Sequence, residues 1–150
     1  MEFDYRILET ADHDWEGILK PSERSSRMAM TAAAVDYIDM FADDPPVSTP
    51  FATPCDRWEN GTQTTKGGAF QGKVYLPHSC TPKGLGLIIK HPKRRVPVVD
   101  VEAGIAVAFV HFAGNLPDFH MFKMRNGKVE LIQAVIAPKA PSTGWKEDLP

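Results

Sequence analysis

The segment FHMFKMRNGKVELIQAVIA, Phe119 to Ala137, holds two apolar runs around Asn126-Gly127. Asn-Gly accepts the two positive φ angles of a tight type I′ turn, so the runs read as the arms of an antiparallel hairpin. In the first arm His120, Phe122 and Met124 share one side and Lys123 takes the other, which places the histidine where the apolar side chains point. Upstream, Gly114-Asn115 marks a turn, Ile105–Phe112 a strand, Glu102-Ala103-Gly104 another turn, and Arg95–Val101 a further strand. The last third of the chain is therefore expected to be a β-meander.

Ahead of the meander, residues Ser25 to about Ala42 contain neither glycine nor proline. Met30, Ala34, Tyr37 and Phe41 recur at helical spacing, Val35 and Ile38 widen that stripe, and Asp36, Asp39 and Asp43 fall opposite, the pattern of an amphipathic helix. Pro21-Ser22-Glu23 reads as its start and Asp44-Pro45-Pro46 as its stop, with Pro50 and Pro54 keeping the following connector extended. From Cys55 to His91, glycines 61, 67, 68, 72, 84 and 86 cut the chain into loops, with short strands expected at Arg57–Gln63 and Leu85–Lys90. Residues 1–21 form an arm that meets the body through Trp15, Ile18 and Leu19, residues 22–137 the domain, and residues 138–150 an irregular tail. One helix followed by a meander predicts an α+β domain in which a curved antiparallel sheet wraps around the helix as an open-mouthed cone.

The chain has 150 residues, the size of one domain, with 43% hydrophobic and 24% charged residues, so neither wholesale disorder nor coiled coil is expected. A net charge of −2 argues against nucleic acid as a partner. No apolar run approaches the ~20 residues that span a bilayer, and Met1-Glu2-Phe3-Asp4-Tyr5-Arg6 lacks the basic and apolar regions of an export signal, so a cytoplasmic protein without membrane contact is expected. With only Cys55 and Cys80, a zinc site of four cysteines is impossible. A disulfide between the two stays open, and would be unusual in a reducing compartment.

The helix with Tyr37 and Phe41, the connector Phe51-Ala52-Thr53-Pro54 and the Leu116–Ala137 hairpin, in that order, resemble the nuclear transport factor 2-like superfamily. That superfamily includes ketosteroid isomerases, scytalone dehydratase and SnoaL-like polyketide cyclases, and the resemblance implies a cystatin-like cone. More narrowly, the stretch from Cys55 to Thr65, together with that from Arg94 to Asp100, is similar to a branch found in fungi and bacteria. The activity this branch implies is that of the sphingomonad diarylpropane lyases, which remove formaldehyde from a lignin-derived aromatic dimer to leave a stilbene. The resemblance spans residues 20–137 and implies a homo-oligomer paired through its sheet.

Three side chains are candidates for catalysis. Glu59 lies near the position that the resemblance gives to a carboxylate base, and burial in an apolar cone would raise its pKa toward neutrality, as a general base needs. His120 falls where ketosteroid isomerases hold a protonated acid, a system that also serves as the general example of a carboxyl kept neutral to donate a hydrogen bond. Tyr37 is a phenol on the buried helix face whose hydroxyl needs a partner. As substrate contacts we expect Asn60, Phe41 and Phe122, with Gln133 as a polar pocket group on the last strand, His111 on either face of its strand, and Arg94 and Arg95 as anion contacts. His78 with Cys80, and His111 with His120, show no accepted metal-ligand spacing, so no metal is expected. Gly84-Leu85-Gly86 lacks the rest of a phosphate-binding fingerprint, so no nucleotide cofactor is expected, and Ser25, Ser26 and Cys55 have no motif that would orient a base beside them. Together these features lead to the expectation of a cofactor-independent acid–base lyase for a small aromatic or alicyclic hydroxylated substrate. Its rivals are an isomerase, dehydratase or polyketide cyclase, and a non-catalytic binding module.

Overall fold

The structure, a computed structural model, describes residues 13–41, 49–70, 73–81, 93–112 and 116–136. Among them, a 3-10 turn at Pro21–Glu23 and a helix α1 (Arg27–Asp39) precede β1 (Phe51–Glu59), β2 (Thr62–Gln63), β3 (Gly68–Phe70), β4 (Lys73–Tyr75), β5 (Arg94–Asp100), β6 (Ile105–Phe112), β7 (Leu116–Arg125) and β8 (Lys128–Ile136). A six-stranded sheet runs in the order β2-β1-β8-β7-β6-β5, and β3 pairs with β4 apart from it.

Pro21-Ser22-Glu23 starts only its own short turn, and Arg24 returns to extended backbone. The helix begins later, at Ser26, whose hydroxyl accepts the Ala29 N–H at 3.2 Å and satisfies one of the donors a helix N-terminus leaves open. Met30, Ala33, Ala34, Tyr37, Ile38 and Phe41 are buried, and α1 packs over β5 and β6. Beneath it lie Ala106 and Ala108, whose short side chains leave room for the helix, and each fully buried larger residue such as Met30 or Ile38 contributes roughly 1.5–3 kcal/mol. At the helix end Asp39 reaches down to the sheet and accepts a bond from Arg94 Nη2 at 2.6 Å.

The meander forms as its turns require. Asn126 and Gly127 have φ of 53° and 76° at the tip between β7 and β8. Gly104 has φ of 69°, and a Cβ there would collide with the Met124 carbonyl and the Leu19 side chain.

The expected antiparallel cone is not what the chain forms. β1 runs parallel to β8, with Arg57 beside Ile132 and Glu59 beside Ala134, so the sheet is mixed, and α1 lies on one of its faces instead of being wrapped. A parallel pair has no tight turn between its strands, so no local signal in the sequence announces it. β1 also absorbs Pro54, which has no N–H for the ladder, and its register with β8 shifts between Phe51 and Asp56.

The opposite, outer face carries the arm. Lys123, buried, donates to the carbonyls of Trp15 and Gly17, both at 3.2 Å, and Leu19 N–H bonds to Glu102 O. Burial pushes the Lys123 ammonium's pKa down. Leu19 is buried as expected of the arm, whereas Ile18 is exposed. Cys55 and Cys80 form a disulfide that spans 25 residues with a Cα–Cα distance of 5.5 Å, and both cysteines are buried. Among the described residues no helix is long and apolar enough to cross a membrane. The expected connector at Asp44-Pro45-Pro46, the strand Leu85–Lys90, Gly84-Leu85-Gly86, the Gly114-Asn115 turn, residues 1–12 of the arm and the tail from Pro138 lie outside the described residues.

Candidate functional site

Strand alternation and register decide which side chains meet. On β7, Asp118, His120 and Phe122 share the face toward α1, opposite Val110, Ala108 and Ala106 of β6. On β1, Arg57 and Glu59 share that face through their pairing with Ile132 and Ala134. Tyr37 comes down from α1 into the middle. Its ring lies edge-on to Phe122 at 5.2 Å, to Phe41 at 5.3 Å and to Phe51 at 6.2 Å, and tilted to His120 at 5.3 Å between centroids.

Within this aromatic frame is a polar cluster. Arg57, buried, donates from Nη1 to the Tyr37 hydroxyl at 3.1 Å and from Nε to Thr64 Oγ1 at 2.9 Å, and the same Nε lies 2.9 Å from Glu59 Oε1. Asp118 Oδ2 lies 3.3 Å from His120 Nδ1, with both side chains almost wholly buried. Among the described residues neither Asp118 oxygen has an aligned hydrogen bond. Burial, assisted by the Glu59 carboxylate, pushes the Asp118 carboxyl up to about 8. Burial and then the Arg57 charge push His120 down to about 3. Burial also raises the Tyr37 phenol, against the lowering effect of Arg57. At neutral pH the cluster therefore contains a protonated carboxyl, a neutral imidazole and an Arg57–Glu59 ion pair.

The structure thus brings Tyr37, Glu59, His120, Phe41 and Phe122 together and sets other expected contacts apart. Glu59 is a partly exposed partner of Arg57, not a carboxylate alone in an apolar cone. Asn60 turns the chain with φ of 46° and clamps Ile136, accepting its N–H at 2.9 Å and donating to its carbonyl at 3.2 Å, so its amide is occupied by the fold. Gln133 pairs with Met121 and Trp58, which places it on the outer face, away from His120. A register shift near Met124 explains this: Val129 stays on the helix side while Leu131 and Gln133 go to the other, so simple alternation along β8 fails. His111 pairs with Pro117, one residue out of phase with Val110 and Asp118, and so also faces outward. Arg95 stacks over Phe109 at 5.4 Å on that outer face, and Arg94 is held by Asp39.

Arg57 and Asp118 are the members of the cluster that reading the sequence missed. Both were reachable by alternation, Arg57 from Cys55 and Glu59, Asp118 from His120 and Phe122. The proline-bearing ends of their strands hid that phase. Ser26 caps α1, Ser25 Oγ accepts from Gly127 N–H, and Cys55 is bridged, so these three are engaged structurally. Among the described residues no group of three or more His, Cys, Asp and Glu side chains is placed to hold a metal ion.

Among the described residues, the chain is an α+β domain in which α1 covers a cluster of titratable side chains on one face of a mixed sheet. The family model that matches is Domain of unknown function (DUF8021), over residues 23–136, and the chain belongs to that family. The match includes every residue of the cluster. No curated protein and no solved structure matches the chain.

Proposed function

We propose that this domain is a cofactor-independent acid–base lyase acting on a small hydroxylated aromatic molecule. The observation that supports the reading best is the pairing of opposites on one face: Asp118 keeps its proton at neutral pH while Glu59, ion-paired to Arg57, is the carboxylate at the cluster's exposed rim. Titratable groups driven apart by their surroundings are what an enzyme needs to give one proton and take another at a single pH. The reading does not depend on a cone.

In this scheme Asp118, with neutral His120 beside it, protonates a departing benzylic hydroxyl, which leaves as water. A phenolic substrate supplies the electron pair and becomes a quinone methide. Glu59 then takes the proton of a primary alcohol. As the O–H bond breaks, the C–C bond next to it cleaves, its electron pair rearomatises the ring, and formaldehyde leaves with a stilbene as co-product. The Tyr37 hydroxyl, polarised by Arg57, holds the phenolate oxygen. Because disulfides persist in oxidising compartments, the Cys55–Cys80 bridge favours an oxidising compartment over the expected cytoplasm.

The test is to follow formaldehyde and product mass with a panel of phenolic diarylpropanes. Formaldehyde and stilbene that fall by about 100-fold or more in both Glu59→Gln and Asp118→Asn, with folding intact by circular dichroism, would support the lyase. A product of unchanged mass, or one changed only by water, would replace it with an isomerase or dehydratase. No turnover across the panel would remove the substrate class proposed.

A further inference from the structure

Arg57 is the hub of the acid–base cluster, and groups outside the cluster hold it there. Its Nε donates to Thr64 Oγ1 at 2.9 Å, its backbone N–H donates to Thr65 Oγ1 at 3.1 Å, and its carbonyl accepts the Thr64 N–H at 2.9 Å. Both threonines directly follow β2, which adds only Thr62 and Gln63 to the edge of β1. Beyond that short ladder the two hydroxyls continue the attachment of the segment to β1, and they do so at Arg57.

That segment is fastened in turn by the disulfide. Thr65, buried, donates from its hydroxyl to Asp56 Oδ1 at 2.7 Å, and its carbonyl accepts the His78 N–H at 2.8 Å. The His78 carbonyl accepts the Cys55 N–H at 2.9 Å, and Cys80 is bridged to Cys55. The connection therefore closes on β1, running from Cys55 through Cys80, His78 and Thr65 to Arg57. Between β4 and Cys80 the chain belongs to no helix or strand, and Leu76 and the His78 side chain within it are exposed, at 71% and 57%. A stretch held by a few backbone bonds and one covalent bridge, with solvent on its other side, can open locally while the domain stays folded. Both cysteines are buried while it is closed.

We propose that the Cys55–Cys80 bridge is a redox control on the acid–base cluster, holding Thr64 and Thr65 on Arg57, and Arg57 against Tyr37 and Glu59, until a dithiol reduces it and releases them. The proposal rests on the reading of that cluster as an active site. In the exchange a thiolate of the dithiol attacks one protein sulfur uncovered by local opening, and its second thiol resolves the mixed disulfide. The protein gains two thiols as the dithiol becomes a disulfide. The Arg57 charge acts on both Tyr37 and His120, so its departure is felt on α1 and on β7 alike. The cluster is then assembled only under the oxidising conditions in which the bridge persists.

The experiment compares the full chain, isotopically labelled on nitrogen, before and after reduction by dithiothreitol under native conditions, with thiols counted by alkylation. The readout is the magnetic resonance signal of the Arg57 Nε–H, identified by its absence in Arg57→Lys, with the backbone amides of β6, β7 and β8 reporting the fold. Reduction should yield two thiols and move the Arg57 signal to that of a solvated arginine, while those amides stay in place. Thr65→Val, which keeps the side-chain shape but removes the hydroxyl, should move the same signal in the oxidised chain, and Thr65→Ser should restore it. No substrate is used, so these outcomes are separate from a failure of the lyase reading, which formaldehyde release decides. The proposal is overturned by a bridge that dithiothreitol leaves closed in the native chain, or by an Arg57 signal unmoved after two thiols appear or in Thr65→Val. Collapse of the whole amide spectrum on reduction would overturn it too, since the bridge would then hold the fold and not the cluster.

Discussion

Replacing Asp118 with asparagine should change how stability depends on pH more than any other single substitution in the cluster. The carboxyl titrates at about 8 in the folded chain against an ordinary value of 3.8, because burial and the Glu59 carboxylate both disfavour its charge. Between those values the unfolded chain has released the proton and the folded chain retains it, so stability falls as pH rises through that window. Each unit corresponds to about 1.36 kcal/mol, so from pH 5 to pH 7 the wild type should lose about 2.7 kcal/mol relative to Asp118→Asn. Over the whole window the loss approaches ~6 kcal/mol, a large part of an ordinary domain's stability. His120 acts in the opposite sense, costing stability as pH falls from 6.5 toward about 3. Its shift comes from burial and Arg57, not Asp118, so it cancels in the comparison. The assay is urea denaturation of both proteins at pH 5, 6, 7 and 8. A difference between them that stays flat, within about 0.5 kcal/mol from pH 5 to pH 7, would refute the claim that Asp118 keeps its proton.

Tyr37→Phe keeps the ring contacts with Phe41 and Phe122 but removes the oxygen that accepts from buried Arg57, and should cost about 1.5–3 kcal/mol in urea denaturation. Opening the Cys55–Cys80 bridge, which closes 25 residues, should lower stability by about 3.5 kcal/mol on the chain-entropy account, read as a lower denaturation midpoint for the double alanine variant. Gly104→Ala places a Cβ against the Met124 carbonyl in a left-handed backbone and should destabilise by about 2 kcal/mol or more, measured by thermal melting.

The parts of the fold that could be read from sequence are those held by neighbours in the chain. Asn126-Gly127 located its hairpin because the turn needs two positive φ angles that few residue pairs accept. The 3.6-residue recurrence of Met30, Ala34, Tyr37 and Phe41 located the helix, although its start moved from Pro21-Ser22-Glu23 to the Ser26 cap. The parallel seam between β1 and β8 was hidden, because its partners are far apart in the chain and share no turn. Gln133 was misplaced for a related reason, since a register shift near Met124 reverses the phase of β8 and leaves no mark in its composition.

The sequence alone determined that one helix precedes a meander, that His120 shares a side with Phe122, and that Tyr37 lies on the helix's apolar stripe. These follow from periodicities of 3.6 and 2, which are properties of the backbone. Only the tertiary structure decided that Arg57 would bind Tyr37 and Glu59, that Asp118 would lie beside His120 away from water, and that Cys55 would meet Cys80. The protonation of Asp118 belongs to that second group. A carboxyl's charge depends on solvent access and on the charges packed around it, and β1, β7 and α1 acquire those surroundings only when they come together.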